Sequence, residues 1–168
     1  MDKINTIFLD VDGTLTNGKV YLDNGKNEFK AFNIKDGLII VAAIKMGYEV
    51  IIMTGRESGV VARRAAELGI KEYYQGVSEK KSALEKLMKE KGINYNNLAY
   101  LGDDLNDLAI MKEAGFAGCP VDATDEVKEI SDMISKYKGG EGAVREILTH
   151  LLKTKREYHK VLEDFIKK

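Results

Sequence analysis

Short apolar runs rich in β-branched and aromatic residues, each followed by a longer stretch of helical periodicity, recur along this chain of 168 residues. The runs are TIFLD at 6–10, YEVIIMT at 48–54, KEYYQG at 71–76 and NLAYLGD at 97–103, then the shorter FAGCP at 116–120 and DMIS at 132–135. Helical patterning occupies 35–46, 58–68, 78–91, 105–114 and 143–152, with Ser58 and Ser78 standing where N-caps belong. Such alternation predicts an α/β fold: a doubly wound, mainly parallel, Rossmann-like sheet with helices on both faces. The length suits a single domain over 1–168, with a core large enough to need no disulfide or structural metal.

Two segments depart from that rhythm. Residues 19–33 (KVYLDNGKNEFKAFN) alternate on either side of the turn signal Asp23-Asn24-Gly25, which predicts a β-hairpin inserted after the first strand. A lone two-stranded hairpin is marginal in water, so Tyr21, Phe29 and Phe32 are expected to pack on something, a second subunit included. The tail at 153–168 is charged, yet it keeps Tyr158, Val161, Leu162, Phe165 and Ile166 at helical spacing, as a docking segment would.

The charge balance narrows the possible partners. Lys and Arg total 26 against 27 Asp and Glu, so no general attraction to nucleic acid or to an anionic membrane is expected. The apolar stretch at 37–53 is interrupted by Lys45, Gly47 and Glu49, and it reads as a core helix followed by a strand, not as a membrane span. The opening residues hold too short an apolar run for a signal peptide, and the lone Cys119 suits a reducing compartment; both point to the cytoplasm.

Acidic residues stand where strands end. Asp10-Val11-Asp12-Gly13-Thr14 directly follows the first apolar run, and Gly102-Asp103-Asp104-Leu105-Asn106-Asp107 follows the fourth. In an open parallel sheet, ligands bind beyond the carboxyl ends of the strands, so neighbouring placement of these two strands would let Asp10 and Asp103 share one Mg2+. Thr54-Gly55-Arg56 ends another strand, and Lys80 opens a helix after the next. Taken singly, Thr54 reads as an ordinary strand end and Lys80 as a solvated helix start. Together, a nucleophilic carboxylate, a metal site, a hydroxyl and an ammonium suffice for phosphoryl transfer, which needs chiefly positioning and charge stabilisation.

In that order, these four motifs resemble those of the haloacid dehalogenase-like phosphatases, and the spacing between them leaves no room for a cap domain. The chain is more similar still to the 3-deoxy-D-manno-octulosonate 8-phosphate phosphatases: LDVDG at 9–13, KAFN at 30–33 followed by a DG, TGR at 54–56, QG at 75–76, GDD at 102–104 and the GGxGAVRE pattern at 139–146 all occur. The resemblance implies Asp10 as nucleophile and Asp12 as general acid and base, with the backbone carbonyl of Asp12 on the metal beside the carboxylates of Asp10 and Asp103. It implies that Asp107 orients Lys80 or a metal-bound water, with Asp104 assisting, and that Thr54 and Lys80 hold the phosphoryl oxygens. Gly55, Arg56, Arg64, Gly139, Gly140 and Arg145 are the implied substrate contacts; of the arginines, Arg56, Arg63 and Arg64 could each meet a sugar carboxylate bidentately, with Arg56 the better candidate. The implied substrate is a small phosphorylated sugar acid from lipopolysaccharide synthesis, and the implied assembly a homotetramer joined through the hairpin and the tail. Glu141 stands where an arginine is usual, which leaves a nine-carbon sialic-acid-type 9-phosphate as the alternative substrate. A non-catalytic accessory or receiver-like domain is the alternative of another class, disfavoured by the second acid of the Asp10-x-Asp12 pair, which suits turnover.

Overall fold

The computed structural model describes residues 3–25 and 27–167. The chain opens with β1 (Thr6–Leu9), a small hairpin of β2 (Tyr21–Leu22) and β3 (Glu28–Phe29), and α1 (Ile34–Lys45). It continues through β4 (Glu49–Met53), α2 (Gly59–Leu68), β5 (Glu72–Tyr74), α3 (Lys80–Lys91), β6 (Leu98–Leu101) and α4 (Leu108–Met111). The last third holds β7 (Phe116–Cys119), α5 (Asp125–Ile130), β8 (Met133–Ile134), α6 (Ala143–Thr154) and α7 (Tyr158–Ile166). Six strands form one parallel sheet in the order β5-β4-β1-β6-β7-β8, and the hairpin is a separate two-stranded piece. Among the described residues nothing larger than that hairpin interrupts the alternation, so the fold carries no cap domain.

Alternation along the central strands builds two apolar layers, because successive side chains of a strand point to opposite faces. Ile7 and Leu9 of β1 join Val50 and Ile52 of β4 under α1, α2 and α6, where Ile39, Ile40, Ala65, Val144 and Ile147 are buried. Phe8, Ile51, Met53, Leu98 and Tyr100 face the other way, against Leu84 and Leu87 of α3, Ile110 of α4 and Val127 of α5. Every residue of β1 and β6 is buried, and Leu9 is level with both Ile52 and Leu101. That shared register brings the residues following β1, β4 and β6 to one edge of the sheet.

Several elements differ from the sequence reading for identifiable reasons. The hairpin pairs only Tyr21 with Phe29 and Leu22 with Glu28, within the wider 19–33 segment. Its return strand stops early because Asn33 caps α1, accepting the N–H groups of Lys35 at 2.8 Å and Asp36 at 3.4 Å. Ser78 is not an N-cap: α3 begins at Lys80, with Glu79 before it. Ser58 does precede α2, yet its hydroxyl makes no capping bond, and its N–H donates instead to Gln75 Oε1 at 2.7 Å. The helix read over 105–114 shrinks to Leu108–Met111, because the side chain of Asp107 holds the preceding segment as a loop. The tail forms α7, docked through Val161 and Tyr158, while Leu162, Phe165 and Ile166 stay exposed. None of the helices is long and apolar enough to cross a membrane among the described residues.

Asp36 joins two of these elements. Its carboxylate, at the start of α1, accepts the Arg145 N–H at 2.7 Å and a further backbone N–H from Gly142, so it serves as the missing cap of α6. Its other oxygen is buried without a partner. Burial pushes the carboxyl up to about 6, against the downward pull of the two backbone donors. Between the ordinary aspartate value of 3.8 and about 6 the folded chain therefore keeps a proton that the unfolded chain has released. The stability this group contributes is present at low pH and lost as pH rises through about 6. Urea unfolding of wild type and Asp36→Asn from about pH 5 to about pH 8 should show the wild type losing more stability across that range, whereas parallel curves would contradict it.

Candidate active site

Asp10 leaves the sheet immediately after β1, and its N–H donates to the Leu101 carbonyl at 2.9 Å, which ties the following loop to the end of β6. Residues Val11–Leu15 then wind in one wide turn, broken at Asp12 and at Gly13, whose φ is +103°. A Cβ added at Gly13 would lie 1.9 Å from Asp103 Oδ2, so glycine is what allows the loop to rest on the carboxylate arriving from β6. The Thr14 hydroxyl donates to Asp103 Oδ1 at 3.0 Å and fixes that contact.

Lys80 enters from the first turn of α3. Its ammonium, almost wholly buried, donates to Asp10 Oδ1 at 2.5 Å and to Asp107 Oδ1 at 2.8 Å. Asp107 is fully engaged: Oδ1 also accepts the Tyr100 hydroxyl at 2.8 Å, and Oδ2 accepts the N–H groups of Asp103 at 3.1 Å and Asp104 at 3.4 Å. Carboxylate oxygens of Asp10, Asp103 and Asp107 lie within 4.8 Å of one another.

The electrostatics follow from that crowding. Burial, then the neighbouring Asp107 charge, pushes the Asp10 carboxyl up to about 8 despite Lys80. Burial pushes Asp103 up to about 7, against the bond from Thr14. Burial alone would lower Lys80, but the charges of Asp10 and Asp107 outweigh it and hold the ammonium above its usual value. Three carboxylates facing one ammonium leave the cluster short of positive charge, which a hard divalent cation on oxygen ligands would correct. With Asp107 spent on four donors, Asp10 and Asp103 are the carboxylates left to hold it.

The other expected residues divide into two groups. Thr54 is buried at the end of β4, its N–H donating to the Tyr74 carbonyl at 2.9 Å and its carbonyl accepting from Val77 at 3.1 Å. A Cβ at Gly55 would make only ordinary contact with the Val77 carbonyl oxygen, at 3.7 Å, and the Arg56 N–H lies 3.5 Å from the Thr54 hydroxyl. The Arg56 guanidinium is 4.0 Å from Asp12 and half exposed. Gly139 packs backbone to backbone on the same loop, since a Cβ there would fall 1.7 Å from the Gly13 carbonyl oxygen, and Gly140 donates to the Thr14 carbonyl at 3.2 Å. These two glycines therefore brace the Asp12–Thr14 turn.

Arg64, Arg145 and Asp104 are engaged elsewhere. Arg64 sits over the Phe32 ring at 5.7 Å and reaches Glu67 and the Asn33 carbonyl, clamping the end of the hairpin segment to α2. Arg145 donates to the Tyr158 hydroxyl at 3.2 Å, and Arg63 pairs with Glu67 at 3.3 Å. Asp104 is exposed and accepts the Leu105 N–H at 2.7 Å. Two residues escaped the sequence reading. Tyr100 takes no role from the sequence beyond its place in a strand, and the fold of the loop after β6 brings Asp107 back to accept its hydroxyl. Lys30 takes none beyond its place in the KAFN motif, yet its ammonium donates to Asp12 and lies 3.1 Å from Glu28.

Sheet order, the broken turn after β1 and the Asp10–Lys80–Asp107 contacts define a haloacid dehalogenase-like hydrolase, and the model of that family matches residues 75–148. The 3-deoxy-D-manno-octulosonate 8-phosphate phosphatase KdsC of Escherichia coli is 40% identical over 151 residues, which cover 90% of this chain and 80% of that protein. A crystal structure of the Moraxella catarrhalis phosphatase of the same name, in complex with a magnesium ion, a phosphate ion and a KDO molecule, superposes with a TM-score of 0.94 at 38% identity, covering 98% of this chain and 94% of that one. A cobalt-bound form of the Haemophilus influenzae phosphatase superposes at 0.86 with 35% identity, covering 92% and 90%. This chain belongs to the 3-deoxy-D-manno-octulosonate 8-phosphate phosphatase family.

Proposed function

We propose that the chain hydrolyses the phosphomonoester of 3-deoxy-D-manno-octulosonate 8-phosphate through an aspartyl-phosphate on Asp10, and so supplies a free sugar acid for lipopolysaccharide synthesis. The observation that carries this reading is the buried Asp10–Lys80–Asp107 assembly beside Asp103, in a chain of this family. A carboxylate oxygen of Asp10 bonds to phosphorus while the bond from phosphorus to the sugar oxygen breaks, and Asp12 gives that oxygen its proton. Asp12 then takes a proton from water; the water oxygen bonds to phosphorus and Asp10 leaves as carboxylate. Lys80 and the Thr54 hydroxyl hold the phosphoryl oxygens, and Asp107, assisted by Tyr100, keeps Lys80 aimed. Mg2+, held by the carboxylates of Asp10 and Asp103 and the backbone carbonyl of Asp12, would supply neutralising charge to the phosphoryl group.

Arg56 is the group for the sugar carboxylate: its planar fork matches a carboxylate bidentately, and it is half exposed at the rim. Arg64 and Arg145 are further substrate contacts in this reading, and within one chain they also brace the hairpin end and the tail against the body of the fold. The chain assembles as a homotetramer in the cytoplasm. Supporting that assembly, Tyr21, Leu22 and Phe29 are exposed on a two-stranded hairpin that is marginal alone in water, Ile34 is exposed at the start of α1, and Phe165 and Ile166 are exposed on α7.

With Mg2+ present, phosphate release from octulosonate 8-phosphate should exceed that from a nine-carbon sialic-acid-type 9-phosphate by about tenfold or more in kcat/KM. Chelation by EDTA should abolish it, and Asp10→Ala should leave only background. Preference for the nine-carbon ester would overturn the substrate, and activity retained in Asp10→Ala would overturn the mechanism. Sedimentation equilibrium should give a tetramer that Leu22→Glu breaks up; a wild-type monomer would reject the assembly.

A further inference from the structure

The hairpin brings a charge to Asp12, which the Lys80 assembly does not hold. The turn that carries Asp12 is braced by Gly139 and Gly140, yet among the described residues the hydrogen bond to the Asp12 carboxylate comes from outside that turn, from Lys30. Two cations face that carboxylate. Arg56 approaches Asp12 Oδ2 at 4.0 Å, beyond hydrogen-bond range, with half its side chain in solvent. The Lys30 ammonium donates a hydrogen bond to Asp12 Oδ1, and its side chain has no solvent exposure. Glu28, on the same strand edge, stands 3.1 Å from Lys30 and 3.9 Å from Arg56, so two cations and two anions close a small charge-balanced group around Asp12. A buried, hydrogen-bonded ammonium fixes a carboxylate far better than an exposed guanidinium at longer range, which solvent screens.

We infer that Lys30 is a positioning residue for Asp12: carried in by the hairpin and anchored by Glu28, it holds the Asp12 carboxyl group in line with the leaving-group oxygen. Arg56 is thereby left free to meet the substrate. This inference rests on the phosphatase reading, and it gives the hairpin a task within its own subunit besides any packing. It also explains the charge pattern at 28–30, where glutamate and lysine flank the exposed Phe29 and turn inward together.

The test exploits leaving-group chemistry. Expelling a sugar alkoxide needs a proton from Asp12, whereas expelling 4-nitrophenolate does not, and kcat/KM reports only the steps through phosphoenzyme formation. Lys30→Met should lower kcat/KM for octulosonate 8-phosphate by about tenfold or more while changing that for 4-nitrophenyl phosphate by less than about threefold. Lys30→Arg should recover part of the loss. Glu28→Gln, which leaves the contact between Lys30 and Asp12 in place but loosens its anchor, should show the same asymmetry more weakly. Thermal unfolding monitors whether each variant is folded. An equal fall on both esters in folded Lys30→Met, or no fall on either, overturns the positioning role and leaves the phosphatase reading standing. A wild type inactive on both esters overturns the two together.

Discussion

The ammonium of Lys80 lies 2.5 Å from Asp10 and 2.8 Å from Asp107, almost completely shielded from water, and the rest of the site is arranged around that contact. Burying two carboxylates and an ammonium does little for stability, because desolvation consumes most of the Coulombic gain, while removing one partner would strand a buried charge at a cost of about 3–5 kcal/mol. The assembly earns its place through chemistry. Asp107 accepts four hydrogen bonds and becomes a rigid anchor for the lysine, and Asp10 is held at the end of β1 with Asp103 beside it. The remaining excess of negative charge is what suits this edge to a divalent cation and then to a phosphoryl group.

Placing that assembly depends on a sheet in which β1 lies between β4 and β6, with Leu9, Ile52 and Leu101 level. Strands buried on both faces cannot slip register without moving apolar side chains into the wrong layer, so the loops that follow them start from fixed points. The wide turn after β1 is then trapped from two sides. Asp103 presses on Gly13 from β6, and Gly139 lies against the Gly13 carbonyl from the segment before α6. Asp36 secures the far end of that segment by capping α6 from α1. Rigidity of this kind is what in-line displacement demands, since small misplacements of reacting groups carry large kinetic penalties.

Much of this was legible in the residues. The parallel sheet followed from the repeated strand–helix pattern, and Asp10, Thr54, Lys80 and Asp103 fell at strand ends or helix starts, as the order of motifs required. What escaped was whatever depends on packing between segments remote in sequence. The resemblance implies that Asp107 orients Lys80, but only the fold shows the same carboxylate also accepting the Tyr100 hydroxyl and shortening α4 to four residues. The six residues of α5 are too few for periodicity to register. Lys30 has the local signature of a solvated strand residue, and its burial against Asp12 arises from how the hairpin folds back over the turn. Arginines are hardest to read, because the contacts of Arg64 with Phe32 and of Arg145 with Tyr158 join segments remote in sequence.

The most direct test of the account is to look for phosphate on Asp10. Wild type and Asp12→Asn would be mixed with 32P-labelled 4-nitrophenyl phosphate and Mg2+, quenched in acid, and the labelled peptide mapped. The account predicts an acid-stable, hydroxylamine-sensitive label on Asp10 that accumulates in Asp12→Asn, where hydrolysis of the intermediate lacks its base, and that is absent from Asp10→Asn. Turnover by the wild type with no label on Asp10, or with label on another residue, would contradict it.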